Sequence, residues 1–134
     1  MPSKRILIVD DDKEFLQEIR ETLHLSGYDV DAVNKASSAV SFAAIRQPDL
    51  ILLDLKMDGM TGFEVAKGLR LIPETAKIPI IVMSGYFSEQ QDCTLFDFFQ
   101  IKNCLQKPFN PLDVITRIEN TLKDADNTSR VAFG

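Results

Sequence analysis

Apolar stretches and polar punctuation divide the chain into a regular alternation. Residues 6–9, 50–53 and 78–83 are continuous apolar, largely β-branched or leucine-rich runs. A run that is apolar on both faces is typical of a parallel strand covered by helices above and below. Residues 28–33 alternate apolar and polar positions and predict an outer strand, and residues 102–106 predict a fifth strand. The run at 50–53 is the candidate central strand.

The segments between these strands carry helical spacing. Helices are predicted at residues 13–26, 37–46, 62–72 and 88–99, and a last helix begins at Asn110 or Pro111. Gly27 is the expected C-cap of the first helix. The apolar face of the last helix is predicted to contain Leu112, Ile115, Ile118 and Leu122.

Five strands that alternate with five helices predict an α/β fold, a doubly wound parallel sheet in which right-handed crossovers place helices on both faces. The first strand is expected beside the third. Residues 1–124 are predicted to form one domain, and residues 125–134 a flexible tail or the start of a linker. No internal repeat and no second domain are apparent.

Complementary polar residues follow the predicted strands. Asp10 and Asp11 come after the first, Asp54 ends the third, Ser84 follows the fourth and Lys107 follows the fifth. Because ligands of open α/β sheets bind at the carboxyl ends of the strands, these side chains are expected to converge.

The three carboxylates would repel one another at close range. At roughly 4 Å and an effective dielectric constant of about 20, each pair costs about 4 kcal/mol. A positive partner is therefore required, and two candidates are a bound cation and the ammonium of Lys107. An oxygen-only cluster favours a hard ion, Mg²⁺ or Mn²⁺. A carboxylate beside such an ion, facing a lysine and a hydroxyl, has the organisation that phosphoryl transfer needs.

Composition excludes several other classes of protein. The net charge of −5 argues against nucleic acid as a direct partner. The N-terminal apolar run is too short for a signal peptide, and no run reaches the length of a membrane span. Cys93 and Cys104 have neither metal-ligand nor redox spacing. We expect a cytoplasmic protein that does not contact a membrane.

Four motifs resemble the receiver domain of two-component response regulators, the CheY-like family. They are Ile-Leu-Ile-Val-Asp-Asp at 6–11, Leu-Leu-Asp-Leu-Lys-Met at 52–57, Val-Met-Ser-Gly at 82–85 and Leu-Gln-Lys-Pro-Phe at 105–109. The resemblance covers roughly residues 5–123. It implies a flavodoxin-like (βα)5 sheet with strand order 2-1-3-4-5.

The resemblance also implies a role for each matching residue. Asp54 is the expected phosphoacceptor, which receives its phosphoryl group from a phosphohistidine in the presence of Mg²⁺ (or Mn²⁺). Asp11 is the expected direct metal ligand, Asp10 acts mainly through water, and Lys56 lends its backbone carbonyl. Ser84 matches the switch hydroxyl. Lys107 matches the active-site lysine, before a cis bond to Pro108.

The implied partners are a sensor histidine kinase or a phosphotransfer protein, and an effector domain or target protein. A phosphorylation-dependent homodimer is left open. The chain would be a signalling domain rather than an enzyme, catalysing at most its own phosphorylation and slow dephosphorylation.

This sequence departs from the family pattern at three positions. Asp58 stands where proline is usual, Gln100 where glycine is common, and Cys104 where a tyrosine or phenylalanine usually moves with the switch hydroxyl. Because close packing restores lost volume nearby, Phe98 or Phe99 is predicted to fill the space beside Cys104.

Three alternatives fit the residues less well. An aspartate-dependent phosphohydrolase needs a second aspartate two residues after the nucleophile, where Lys56 stands. A nucleotide- or flavin-binding domain needs a glycine-rich turn where residues 10–12 are aspartates. A phosphate-independent interaction module would not need the full set of Asp11, Asp54, Ser84 and Lys107.

Overall fold

One parallel sheet organises the computed structural model, which describes residues 3–57, 61–84, 101, 103–106 and 110–133, without the side chains of 103, 106 and 126–133. Its strands are β1 (Arg5–Val9), β2 (Asp29–Val33), β3 (Leu50–Asp54), β4 (Ile80–Ser84) and β5 (Asn103–Gln106). The order across the sheet is β2-β1-β3-β4-β5, and all four pairings are parallel. The predicted doubly wound α/β architecture and its strand order are confirmed.

Four helices lie within the described residues: α1 (Lys13–Leu25), α2 (Ala36–Arg46), α3 (Gly62–Leu71) and α4 (Pro111–Phe133). Each begins within one residue of its predicted start. Gly27, with φ of 96°, follows the last turn of α1 in the left-handed conformation that glycine adopts without steric cost. The helix predicted at 88–99 lies outside the described residues.

The side chains of the sheet alternate between two apolar layers. Leu7, Ile51 and Leu53 point to the layer that contains α2 and α3, while Ile8 and Leu52 point to the layer that contains α1 and α4. The β3 residues Leu50–Leu53 are completely buried, which confirms β3 as a central strand covered on both sides.

The buried face of α4 differs from its prediction. Leu112 was expected on this face, but its side chain is 69% exposed. Ile118 and Leu122 are buried against the sheet as predicted, and Ile115 packs partly buried against the same layer. Val114, one helical turn before Ile118, is also buried there although it was not predicted. Leu112 lies in the first turn and on another side of the helix, so the prediction for it is wrong.

The backbone of α4 remains helical as far as Phe133. The sequence placed a tail or the start of a linker from residue 125 onward, and the described backbone there is helical. The division into a domain at 1–124 and a connecting segment stays a prediction. Among the described residues, no helix combines the length and the apolar composition that crossing a bilayer requires.

The connection from α3 to β4 is fixed by side chains that bond to backbone carbonyls. The buried Thr75 hydroxyl donates to the Leu69 carbonyl at 2.6 Å. The Arg70 guanidinium donates to the carbonyls of Ala76 and Ile78 at 2.9 and 2.8 Å. Burial lowers the pKa of Arg70 from its ordinary value. These bonds hold the chain just before β4, the strand that ends at Ser84.

The start of α3 lies directly against the end of β3. The Gly62 amide donates to the Leu55 carbonyl at 3.0 Å. A Cβ atom at Gly62 would collide with the Asp54 carbonyl oxygen and would lie 2.7 Å from the Leu55 Cα. Only glycine allows this approach, because the atoms in the way are backbone.

We predict that Gly62→Ala destabilises the domain by about 1–3 kcal/mol, since a backbone clash of this kind forces β3 and α3 apart. Urea unfolding measures the effect. Gly68→Ala is the matched control: its Cβ would meet a side-chain methyl of Val40 at 2.9 Å. Alanine is also more favourable than glycine in a helix interior by up to about 1 kcal/mol. We therefore expect Gly68→Ala to leave the free energy of unfolding nearly unchanged. Equal losses in the two variants would contradict the prediction.

Candidate functional site

Three strand ends meet at one edge of the sheet and bring polar side chains together. Val9 pairs with Leu53, so Asp10 follows β1 beside the position where Asp54 ends β3. The ladder continues one residue past the strands, because the Asp10 amide donates to the Val33 carbonyl at 3.1 Å and the Leu55 amide to the Met83 carbonyl at 3.0 Å. The backbone at the two aspartates is therefore held by the neighbouring strands, by β2 next to Asp10 and by β4 next to Asp54.

Asp10, Asp11 and Asp54 form a carboxylate cluster. Each offers one oxygen, and these oxygens lie within 4.8 Å of one another. Asp10 is fully buried and Asp54 is 5% exposed, whereas Asp11 faces solvent. The sequence predicts this convergence of the three acids. Two of them are buried, and one lies at the protein surface.

Backbone amides two residues further along hold the two buried carboxylates. The Asp12 amide donates to Asp10 Oδ1 at 3.0 Å, and the Lys56 amide donates to Asp54 Oδ1 at 3.1 Å. Such bonds from an aspartate to the backbone two residues on stabilise the turn that follows each strand. They also orient the carboxylates.

The third aspartate of the 10–12 run serves the helix instead. Asp12 is the N-cap of α1, and its Oδ1 accepts a hydrogen bond from the Phe15 amide at 3.2 Å. An N-cap carboxylate satisfies an otherwise unpaired amide and lies favourably at the positive end of the helix dipole. The cluster within the described residues therefore contains Asp10 and Asp11 but not Asp12.

The other predicted site residues are described unequally. Ser84 ends β4, is 1% exposed and pairs with Gln106 of β5. The side chain of Lys56 is exposed, which agrees with a role through its backbone. Lys107, the bond to Pro108, and Asp58 lie outside the described residues, so the predictions for them stay predictions.

Cys104 lies in β5 opposite Val82 and is partly buried against the core layer that contains α2 and α3. Ile101 packs against the same layer. Phe98, Phe99 and Gln100 lie outside the described residues, so the predicted filling of the space beside Cys104 stays a prediction.

One contributor to the site was missed from the sequence. Gly62 lets α3 begin against the backbone of Asp54, and a glycine directly after the helix-capping Thr61 was the available signal. Thr61 accepts a hydrogen bond from the Glu64 amide at 3.3 Å through its hydroxyl. A cap followed by glycine, rather than by a strong helix former, indicates a steric requirement at that position.

The cluster has the chemistry of a hard-cation site. Among the residues that the structure describes, all its donors are carboxylate oxygens, and no imidazole or thiolate belongs to it. Oxygen ligands of this kind suit Mg²⁺. The class that fold and site define is an α/β domain whose parallel sheet carries an acidic pocket at the ends of adjacent central strands.

The family follows from comparison with known proteins. The family model described as "Response regulator receiver domain" matches residues 6–119. The chain belongs to the receiver domains of response regulators, which are phosphoacceptor signalling domains.

Curated relatives are similar along most of this chain. The DNA-binding dual master transcriptional regulator RpaA of Synechocystis is 32% identical over 96% of the chain and 53% of its own length. The phosphate regulon transcriptional regulatory protein PhoB of Pseudomonas aeruginosa is 31% identical over 92% of the chain and 53% of its own length. The chain thus spans about half the length of the curated relatives it matches.

Solved structures agree with the fold. The chemotaxis protein CheY4 of Vibrio cholerae matches with a TM-score of 0.84 and 27% identity, covering 89% of this chain and 98% of that one. A CheY-like receiver domain protein from Methanospirillum hungatei matches with a TM-score of 0.85 and 28% identity, covering 94% and 98%.

We predict that Asp12→Ala lowers the free energy of unfolding by about 1 kcal/mol, because α1 loses its cap. It should weaken Mg²⁺ binding less than Asp11→Ala does, since the Asp12 backbone amide still holds Asp10. Urea unfolding and Mg²⁺ titration by calorimetry measure the two effects. Asp12→Asn is the control, because asparagine also caps helices. A loss of Mg²⁺ affinity equal to that of Asp11→Ala would make Asp12 a ligand.

Proposed function

We propose that Asp54 is the phosphoacceptor of this receiver domain and takes its phosphoryl group from a phosphohistidine of a sensor histidine kinase or phosphotransfer protein. The observation that carries the proposal is the carboxylate cluster, in which Asp54 ends the central strand beside Asp10 and Asp11. Membership of the receiver family supports the same assignment.

The cluster fits a divalent cation, Mg²⁺ or Mn²⁺. Asp11 and Asp54 would bind it directly, Asp10 would act mainly through water, and Lys56 would contribute its backbone carbonyl. Three acids within 4.8 Å of one another are the donors that such an ion requires. When bound, the ion supplies positive charge that offsets the carboxylates and the phosphoryl oxygens.

The protein's own groups then position the reacting atoms. A carboxylate oxygen of Asp54 forms the new bond to phosphorus while the bond from phosphorus to the donor's histidine nitrogen breaks, and the histidine keeps that electron pair. The Lys56 amide orients the attacking carboxylate through Oδ1. The Ser84 hydroxyl and the Lys107 ammonium are assigned to the phosphoryl oxygens, where added donors stabilise transferring charge.

The output is proposed from the relatives. RpaA is named as DNA-binding and PhoB as a transcriptional regulator, and each extends well beyond the matched part. We infer that phosphorylation changes the surface of this domain toward an effector domain or a target protein. The expectation that the receiver itself does not touch nucleic acid rests on its net charge of −5. Any DNA contact would belong to an effector domain.

The domain is proposed to catalyse at most its own phosphorylation and slow dephosphorylation. A phosphohydrolase would need an acid two residues after the nucleophile, and Lys56 occupies that position. A phosphate-independent interaction module would have no use for two buried carboxylates at one sheet edge, since burying charge is unfavourable unless it is compensated. The cluster therefore favours the phosphoacceptor.

We expect the chain to gain one phosphoryl group when incubated with a small phosphodonor and Mg²⁺. Asp54→Asn should abolish this gain, and so should EDTA, because the nucleophile or the compensating charge is lost. Intact-mass spectrometry measures the gain. Asp29→Asn is the control, because Asp29 is an exposed carboxylate at the opposite end of β2. Labelling of Asp54→Asn equal to that of the unaltered chain would refute the assignment.

We also expect Asp11→Ala to weaken Mg²⁺ binding more than Asp10→Ala does, because Asp11 is the proposed direct ligand. Titrations followed by calorimetry or NMR compare the two. Asp10→Asn distinguishes an effect on folding from an effect on Mg²⁺ binding, because asparagine retains an oxygen that can accept a hydrogen bond from the Asp12 amide. The reverse order of the alanine variants would exchange the two roles.

A further inference from the structure

Helix α1 separates its charged side chains by sign. Residues spaced by three or four positions lie on one side of a helix. One stripe consists of Lys13, Gln17, Arg20 and His24, and an adjacent stripe of Glu14, Glu18 and Glu21. The first stripe is therefore basic or neutral along its whole length, within a protein whose net charge is −5.

The basic stripe borders a groove of about 470 Å³ between α1 and the residues that follow β2. Three cations line this groove: Lys13, Arg20 and Lys35. Gln17, Asn34 and Ser38 add neutral hydrogen-bond donors. We call it the basic groove.

In the described part of the chain no carboxylate lines the basic groove, although acids outnumber bases in the whole sequence by 20 to 15. Within the described residues, none of its three cations forms an ion pair. Charges separated by more than about 8 Å are largely screened at physiological salt. An anion in this groove therefore interacts only weakly with the carboxylates that lie farther away than this.

A neighbouring cavity of about 420 Å³ has a lining of mixed charge. It shares Gln17 and Arg20 with the basic groove but also contains Glu21 and Asp29. Those carboxylates repel an anion. The negative charge of a ligand is thus directed to the end of the groove that holds Lys13 and Lys35.

The volume and the donors match a phosphate-rich small molecule. Pockets for small ligands measure about 300–1,000 Å³. Lysine binds phosphate as a point charge, and arginine binds it through paired N–H groups. Three cations complement the higher negative charge of a chain of phosphate groups better than the charge of a single phosphate.

We propose that the basic groove binds a polyphosphate anion, either the triphosphate of a nucleotide or inorganic tripolyphosphate. The groove is chemically distinct from the carboxylate cluster: its lining carries cations and neutral donors, whereas the cluster offers only carboxylate oxygens. Binding there does not depend on phosphorylation of Asp54.

The test is a titration of the isotope-labelled chain followed by amide NMR signals, with EDTA present so that no divalent cation bridges the anion to the cluster. ATP, tripolyphosphate, adenosine and hexaglutamate are compared. ATP and tripolyphosphate should shift the amides of Asn34, Lys35 and Ser38, and adenosine should not. Equal affinity for ATP and tripolyphosphate would identify the triphosphate as the recognised group. Tighter binding of ATP than of tripolyphosphate would show additional contacts to the nucleoside.

Lys13→Gln and Lys35→Gln should each weaken binding about fivefold, the upper range for one exposed charge pair. Added salt should weaken it further. Lys67→Gln is the matched control, since Lys67 is an exposed lysine on α3 and does not line the groove. Absence of shifts, equal effects of all three variants, or equal affinity for hexaglutamate would overturn the proposal.

Discussion

Electrostatic repulsion within the carboxylate cluster is the constraint on which the site depends. Oxygens of Asp10, Asp11 and Asp54 lie within 4.8 Å of one another, and two of these acids are buried. At that separation and an effective dielectric constant of about 20, a pair of charges costs about 3 kcal/mol, and solvent reduces this cost for pairs that include Asp11. The fold must hold these groups together against a force that would separate them.

The parallel sheet and its turns provide that restraint. The strands that carry Asp10 and Asp54 pair directly, and ladder hydrogen bonds continue one residue past each strand. Amides of Asp12 and Lys56 then bind the carboxylates, while Gly62 lets α3 pack against the end of β3. A cation or phosphoryl group that enters the cluster changes the repulsion among its carboxylates. Because the turns after β1 and β3 carry these carboxylates, the change acts on those turns. This coupling supports the phosphorylation-dependent change of surface that is proposed above.

The chain distributes its charge so that two opposite environments lie near the carboxyl edge of the sheet. The carboxylate cluster lies where β1 and β3 end, and the basic groove lies between α1 and the residues after β2. The first suits the divalent cation and the second the anion that are proposed above. Because Asp12 caps α1 through its side chain and holds Asp10 through its backbone, the helix that carries the basic stripe is joined to the acidic site.

Much of this protein was determined by the sequence itself. Continuous apolar runs can be buried only between two layers of helices, so β1, β3 and β4 and the order of the elements were predictable. The carboxyl ends of parallel strands share one edge, which made the meeting of Asp10, Asp11 and Asp54 predictable as well.

Other features required tertiary structure. Which side of α4 faces the sheet depends on how the helix packs, and so Leu112 was misplaced while Val114 is buried. The sequence already favoured Asp10 and Asp11 over Asp12 as cluster members, but only the structure shows that Asp12 caps α1. The need for glycine at position 62 and the grouping of Lys13 with Lys35 depend on contacts between distant segments, which no local pattern contains.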